Sequence, residues 1–149
     1  MDAEMKKRLR HHEDMYLRRL FGMLAQMAKA DGKVVDAADD GSTVHLAAGV
    51  YPVDTEVFVN KKITVRSDDG RGAAIIRRSD KGPDTRVLTL DHAGARLEDL
   101  AITGGRIPED QVNYDLNPNN CGGGIRIGAN GGWVVGCVIT NNSTTSLGD

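Results

Sequence analysis

Few residues in this chain have both the type and the spacing for chemistry. Asp68-Asp69 is an adjacent acidic pair of the kind that could share acid and base work. It stands beside Gly70, and a carboxylate-rich turn accounts for it better. Asp39-Asp40-Gly41-Ser42 offers oxygens suited to Ca²⁺, but without the ordered ligand spacing of a dedicated loop, so a turn is expected and no cofactor is. Gly122-Gly123-Gly124 lacks the Lys and the helix start of a phosphate loop, and reads as a tight corner. His11-His12 are neighbours on a presumed helix and point about 100° apart, so they do not chelate one ion. His45 sits between Val44 and Leu46 and faces outward, with no evident carboxylate or serine partner. No catalytic constellation emerges; the residues lean away from an enzyme and leave the question open.

Binding chemistry is better represented. The polar stretch 108–120, PEDQVNYDLNPNN, is a long excursion between two patterned segments. Its Tyr114 could stack on a sugar face, and Asp115, Asn117 and Asn119 could hydrogen-bond hydroxyls. A plain solvated connector is the competing reading. Trp133, the single tryptophan, aligns with Arg96 at an outward position and is a second candidate platform. The alternative is that it shields an exposed core end.

These residues need a scaffold, and composition narrows it. The chain has 149 residues, the size of one domain. It has 18 glycines and only 4% aromatic residues, which suits many turns and small core side chains. No apolar run is long enough for a membrane span. The net charge of −2 gives no reason to expect nucleic-acid binding. Cys121 and Cys137 form neither a disulfide framework nor a metal motif, and their redox state stays open.

Residues 1–33 differ from the rest. Positions 1–30 hold seven Lys/Arg against four acids. Leu17, Leu20, Phe21, Leu24, Met27 and Ala28 form one helical stripe, stopped by Asp31-Gly32. Three readings compete: a packing helix that caps the following domain, an export signal, and a fragment of a helical domain. Arg18-Arg19-Leu20-Phe21 resembles a twin-arginine core, and Ala28-Lys29-Ala30 a small-residue cleavage site. The stretch between is short and contains Gln26, so no convincing signal peptide results. FGMLAQMAKADGKV resembles the first helix and loop of the tellurite-resistance-type helical domain, over about 14 residues only.

Residues 34–149 read as short strands punctuated by Gly, Asn and Asp. A 37-residue offset aligns Val50–Val53 with Val87–Leu90 and Gly124–Ile127, and Ile63–Val65 with Leu100–Ile102 and Cys137–Ile139. On this alignment Tyr51, Leu88 and Ile125 are equivalent, as are Val53, Leu90 and Ile127. Pro52, Thr89 and Arg126 between them fall outside. Strands this short are stable only when coiled so that each circuit pairs with the next, which predicts an all-β parallel solenoid. About three rungs fit, with the third 37-residue repeat incomplete. The last rung would leave strand edges open, so the chain is expected to be part of a larger domain; were it complete, self-association through the open C-terminal rung would be expected instead.

GSTVHLAAGVYPV, NKKITVRSDDG, LEDLAITGG and CGGGIRIGANGGWVVGCVITNN together resemble the right-handed parallel β-helix of the pectin-lyase-like superfamily. That resemblance implies an N-terminal amphipathic α-helix as a cap, polysaccharide as a partner, and an extracellular or cell-surface bacterial location. The lyase and hydrolase residue sets of that superfamily are not found here. The resemblance therefore implies a non-catalytic structural or carbohydrate-contacting segment. The alternative is the N-terminal part of a polysaccharide lyase or glycoside hydrolase whose catalytic rungs lie elsewhere.

Overall fold

The structure is a computed structural model and describes residues 38–107 and 122–144. The helix expected within residues 1–33 lies outside the described residues. Within them the chain is all-β, with no helix. The first strands are β1 (Thr43–Leu46), β2 (Gly49–Val53), β3 (Val57–Val59), β4 (Thr64–Ser67), β5 (Ala74–Arg78) and β6 (Leu88–Leu90). They are followed by β7 (Arg96–Glu98), β8 (Ala101–Thr103) and β9 (Arg106–Ile107). The last are β10 (Ile125–Ile127), β11 (Trp133–Val135), β12 (Val138–Thr140) and β13 (Ser143–Thr144). Each is too short to persist alone, so inter-strand pairing must supply its stability.

All pairing is parallel. One sheet runs β1-β4-β7-β11, a second β2-β5-β8-β12 and a third β3-β6-β10, with β9 and β13 forming a small fourth. The chain visits the first, second and third sheets in cyclic order, with the small sheet inserted in the later circuits. Strands adjacent in sequence therefore never pair; each meets the strand one circuit later.

Alternation drives the packing. β1 places Val44 and Leu46 inward, β3 places Val57 and Val59, and β4 places Val65. Stacked by register, inward residues form columns, such as Val44, Val65, Leu97 and Val134 in the first sheet. A second column is Tyr51, Ile76, Ile102 and Ile139. The three larger sheets share one apolar cluster. Burying each such Val, Leu or Ile contributes on the order of 1.5–3 kcal/mol before entropy is counted.

The corners between sheets are made by single left-handed residues. Asp99 (φ 57°) leads from β7 to β8, and Gly136 (φ 65°) occupies the matching place between β11 and β12. Gly104 (φ 77°) and Asn141 (φ 53°) match in the same way after β8 and β12. Gly, Asn and Asp tolerate this conformation best, which is why they recur at these points. Gly70 and Ser67 make another corner. The buried Ser67 hydroxyl donates to Gly70 O at 2.7 Å and accepts from Ala74 N at 3.2 Å.

The register corrects part of the sequence alignment. Leu88 pairs with Ile125 and Leu90 with Ile127, at the expected offset. Tyr51 and Val53 do not belong to those sets. Val57 and Val59 take their places, while Tyr51 pairs with Ile76. Ile63–Val65 likewise aligns with the β7 region, Val65 facing Leu97, rather than with β8. The earlier circuits are shorter, so a fixed offset slides them out of register. Thr89 is also not an outer residue in the solvent sense. It is buried on the outward side of β6, bonded to Glu56 and close to the Arg86 guanidinium.

Candidate functional site

The first sheet carries the richest outward face. Register places Thr43, Thr64, Arg96 and Trp133 in one row, and His45, Arg66, Glu98 and Val135 in the next. Alternation fixes this arrangement, because the intervening Val44, Val65, Leu97 and Val134 point inward.

Polar contacts tie the rows together. His45 Nδ1 lies 2.8 Å from Asp68 Oδ1, which supplies the carboxylate partner that the local sequence did not reveal. Arg66 Nε is 3.7 Å from the same oxygen, and an Arg66 terminal nitrogen is 3.9 Å from Glu98 Oε2. Arg96 Nε bonds Glu98 in turn. The contacts thus form a polar chain, His45–Asp68–Arg66–Glu98–Arg96, in which acidic and basic side chains alternate from Asp68 to Arg96. Arg66 and Arg96 remain partly exposed, so these pairs orient side chains more than they stabilise the fold.

Trp133 stands at the end of this face. It is 60% exposed, and its indole Nε1 donates to Ala93 O at 3.1 Å. That bond fixes one edge of the ring and leaves much of the indole surface to solvent. A held aromatic surface beside guanidinium and carboxylate groups can stack on an apolar ring face while its neighbours bond peripheral hydroxyls.

Trp133 lies where alternation places it, opposite Arg96. Tyr114, Asp115, Asn117 and Asn119 lie outside the described residues, as does Cys121. Asp68 was read from sequence only as half of an acidic turn pair and Arg96 only as the position aligned with Trp133; Arg66 and Glu98 were not singled out, although the alternating strings TVRS and RLE carry the signal. Asp69 lies in a bend after β4 and ties it to the segment after β1, its Oδ2 accepting from Ala48 N at 2.6 Å. Asp39 closes a turn through Ser42 N at 3.0 Å, with Gly41 at φ 87°.

Gly122–Gly124 form a crowded junction. A Cβ on Gly122 would lie 2.3 Å from Ile125 O, one on Gly123 2.4 Å from Ser143 O, and one on Gly124 2.6 Å from Asn142 Cγ. Asn142 seals the same place. Its Oδ1 accepts from Gly105 N at 2.9 Å, and its Nδ2 donates to Ile102 O at 3.0 Å and Thr140 O at 2.9 Å.

Cys137 is a free, half-buried thiol whose Sγ lies 3.6 Å from Val135 O. Burial pushes its pKa above the ordinary thiol range, and the Asp99 carboxylate adds to the rise. Among the described residues no three His, Cys, Asp or Glu side chains converge as a metal site, and no helix is long and apolar enough to cross a membrane. No family model, curated protein or solved structure matches the chain.

Proposed function

We propose that this chain is a segment of a right-handed parallel β-helix, of the pectin-lyase-like kind, that contacts carbohydrate without catalysis as part of a surface or secreted bacterial protein. The cyclic, all-parallel sheet order supports the coil. The strong preference of parallel crossovers for one hand supports right-handedness. The contact reading is carried by one observation, the exposed Trp133 ring in register with Arg96 at the end of a charged outer face.

The chain has one tryptophan, so its fluorescence reports on that ring alone. Titration with neutral and uronate-containing oligosaccharides should shift or quench the emission. Trp133→Ala should weaken calorimetric binding by about tenfold, the worth of one stacked ring. Tyr114→Ala tests the second candidate platform in the same assay. An unchanged spectrum across the panel would refute carbohydrate contact. Release of unsaturated or reducing ends would refute the non-catalytic part.

A further inference from the structure

The charges on the outer face of the first sheet are matched. Asp68 and Glu98 supply two carboxylates, and Arg66 and Arg96 supply two guanidiniums. Glu98 is shared between the arginines: Arg96 Nε bonds its Oε1, and an Arg66 terminal nitrogen lies 3.9 Å from its Oε2. Arg66 Nε also stands 3.7 Å from Asp68 Oδ1. With His45 uncharged, these side chains beside Trp133 carry no net formal charge. The neighbouring corner repeats the balance. Lys62 lies against Gly94, next to the carbonyl that holds the indole, and Asp40 Oδ1 accepts from Lys62 N at 3.3 Å. The guanidiniums of Arg66 and Arg96 are 44% and 41% exposed, and the carboxylates of Asp68 and Glu98 14% and 22%. A ligand on this face thus meets donors and acceptors together, and no field of a single sign.

We propose that this face selects a neutral glycan and discriminates against uronate chains, with Glu98 as the specificity-determining residue; this rests on the carbohydrate reading above. A sugar hydroxyl both donates and accepts, so it bonds a carboxylate oxygen and a guanidinium N–H at once. Glu98 and Arg96 offer that pair one strand away from the exposed Trp133 ring. A uronate carboxylate only accepts. It has to share Arg96 with Glu98, and it approaches two carboxylates of its own sign. It therefore gains no net Coulomb attraction while giving up hydration. Glu98 decides the outcome because it contacts both arginines and, with Asp68, offsets their charge.

Tryptophan fluorescence of the full chain, titrated with matched oligosaccharides, tests this. The probes are gluco-, manno- and galacto-hexamers and their uronate counterparts, each pair differing only at C6. The expected result is that the neutral member of a pair quenches the emission and its uronate counterpart binds at least about fivefold more weakly. The neutral Kd should hold within about twofold between about 20 mM and about 500 mM salt. Glu98→Gln, with an unchanged circular-dichroism spectrum, leaves the two guanidiniums in excess. It should tighten uronate binding about fivefold at low salt, and high salt should erase the gain. The wild-type comparison needs no variant and decides by itself if Glu98→Gln does not fold. Uronate binding by the wild type as tight as neutral binding, or tighter, overturns the proposal and leaves carbohydrate contact standing. So does a folded Glu98→Gln protein with unchanged preference. Silence toward both members of every pair overturns carbohydrate contact itself, and this proposal with it.

Discussion

Replacing Gly105 with alanine inserts one methyl group where two stretches of backbone nearly touch. An ideal Cβ there would lie 2.0 Å from Gly123 O, 2.9 Å from Gly123 C and 3.0 Å from Val87 Cγ2. Ordinary carbon–oxygen contact is above 3 Å, so the strands must part by roughly 1 Å. The partners cannot give way cheaply, because Gly105 N donates to Asn142 Oδ1 at 2.9 Å and Gly105 O accepts from Ser143 N at 2.9 Å. Overpacking of a tight site costs about 1–3 kcal/mol. Loosening two hydrogen bonds adds about 1 kcal/mol each. The expected loss is therefore about 3–5 kcal/mol, measured by urea unfolding with circular dichroism. Gly131→Ala is the calibrating control. Its added Cβ meets nothing within 4 Å, and only the left-handed backbone (φ 81°) penalises it, by about 1–2 kcal/mol. If Gly105→Ala is no more destabilising than Gly131→Ala, the close approach of the two backbones is not as described.

Two further predictions follow from buried polar groups. Arg86, 3% exposed, bonds Glu56 Oε1 at 2.8 Å and donates through Nε to Gly122 O at 2.8 Å. Glu56→Ala should cost about 3–5 kcal/mol in urea unfolding by removing the carboxylate from a buried guanidinium, whereas replacing both residues by apolar ones should cost much less. The raised pKa of Cys137 makes the protonated thiol the form that the fold favours. Its contribution is complete below the unfolded thiol pKa, about 8.5, and is lost as pH rises from there through the higher folded value. Urea midpoints measured from neutral to alkaline pH should fall less steeply for Cys137→Ala than for the wild type, and site-resolved alkylation of Cys137 should lag that of the unfolded chain at pH 8.5.

Legibility in the sequence depended on corner chemistry. The last two circuits were alignable because the same left-handed positions recur in them, Asp99 with Gly136 and Gly104 with Asn141, so one offset holds over four strand pairs. Alternation alone does not set circuit length, since any two-residue slide preserves which side chains face inward. That freedom let Tyr51 and Val53 stand in for Val57 and Val59. His45 was correctly placed outward, but Asp68 follows β4 while His45 sits within β1, and their contact exists only once the strands pair. Which of these charged side chains meet is a property of register, and the alternating strings mark only that they face outward. The outward position of Trp133 was legible because alternation and its alignment with Arg96 suffice to place it.

The cyclic pairing order also governs how disturbance spreads. Every strand bonds only to those one circuit before and after it, so no direct link joins β1 to β11; any effect must pass through β4 and β7. Loss of β12 would remove support from β8 first, then from β5, because each is bonded only to its neighbours in the sheet. Loss of order is thus graded along the axis. The fully buried middle strands act as the last reservoir of structure.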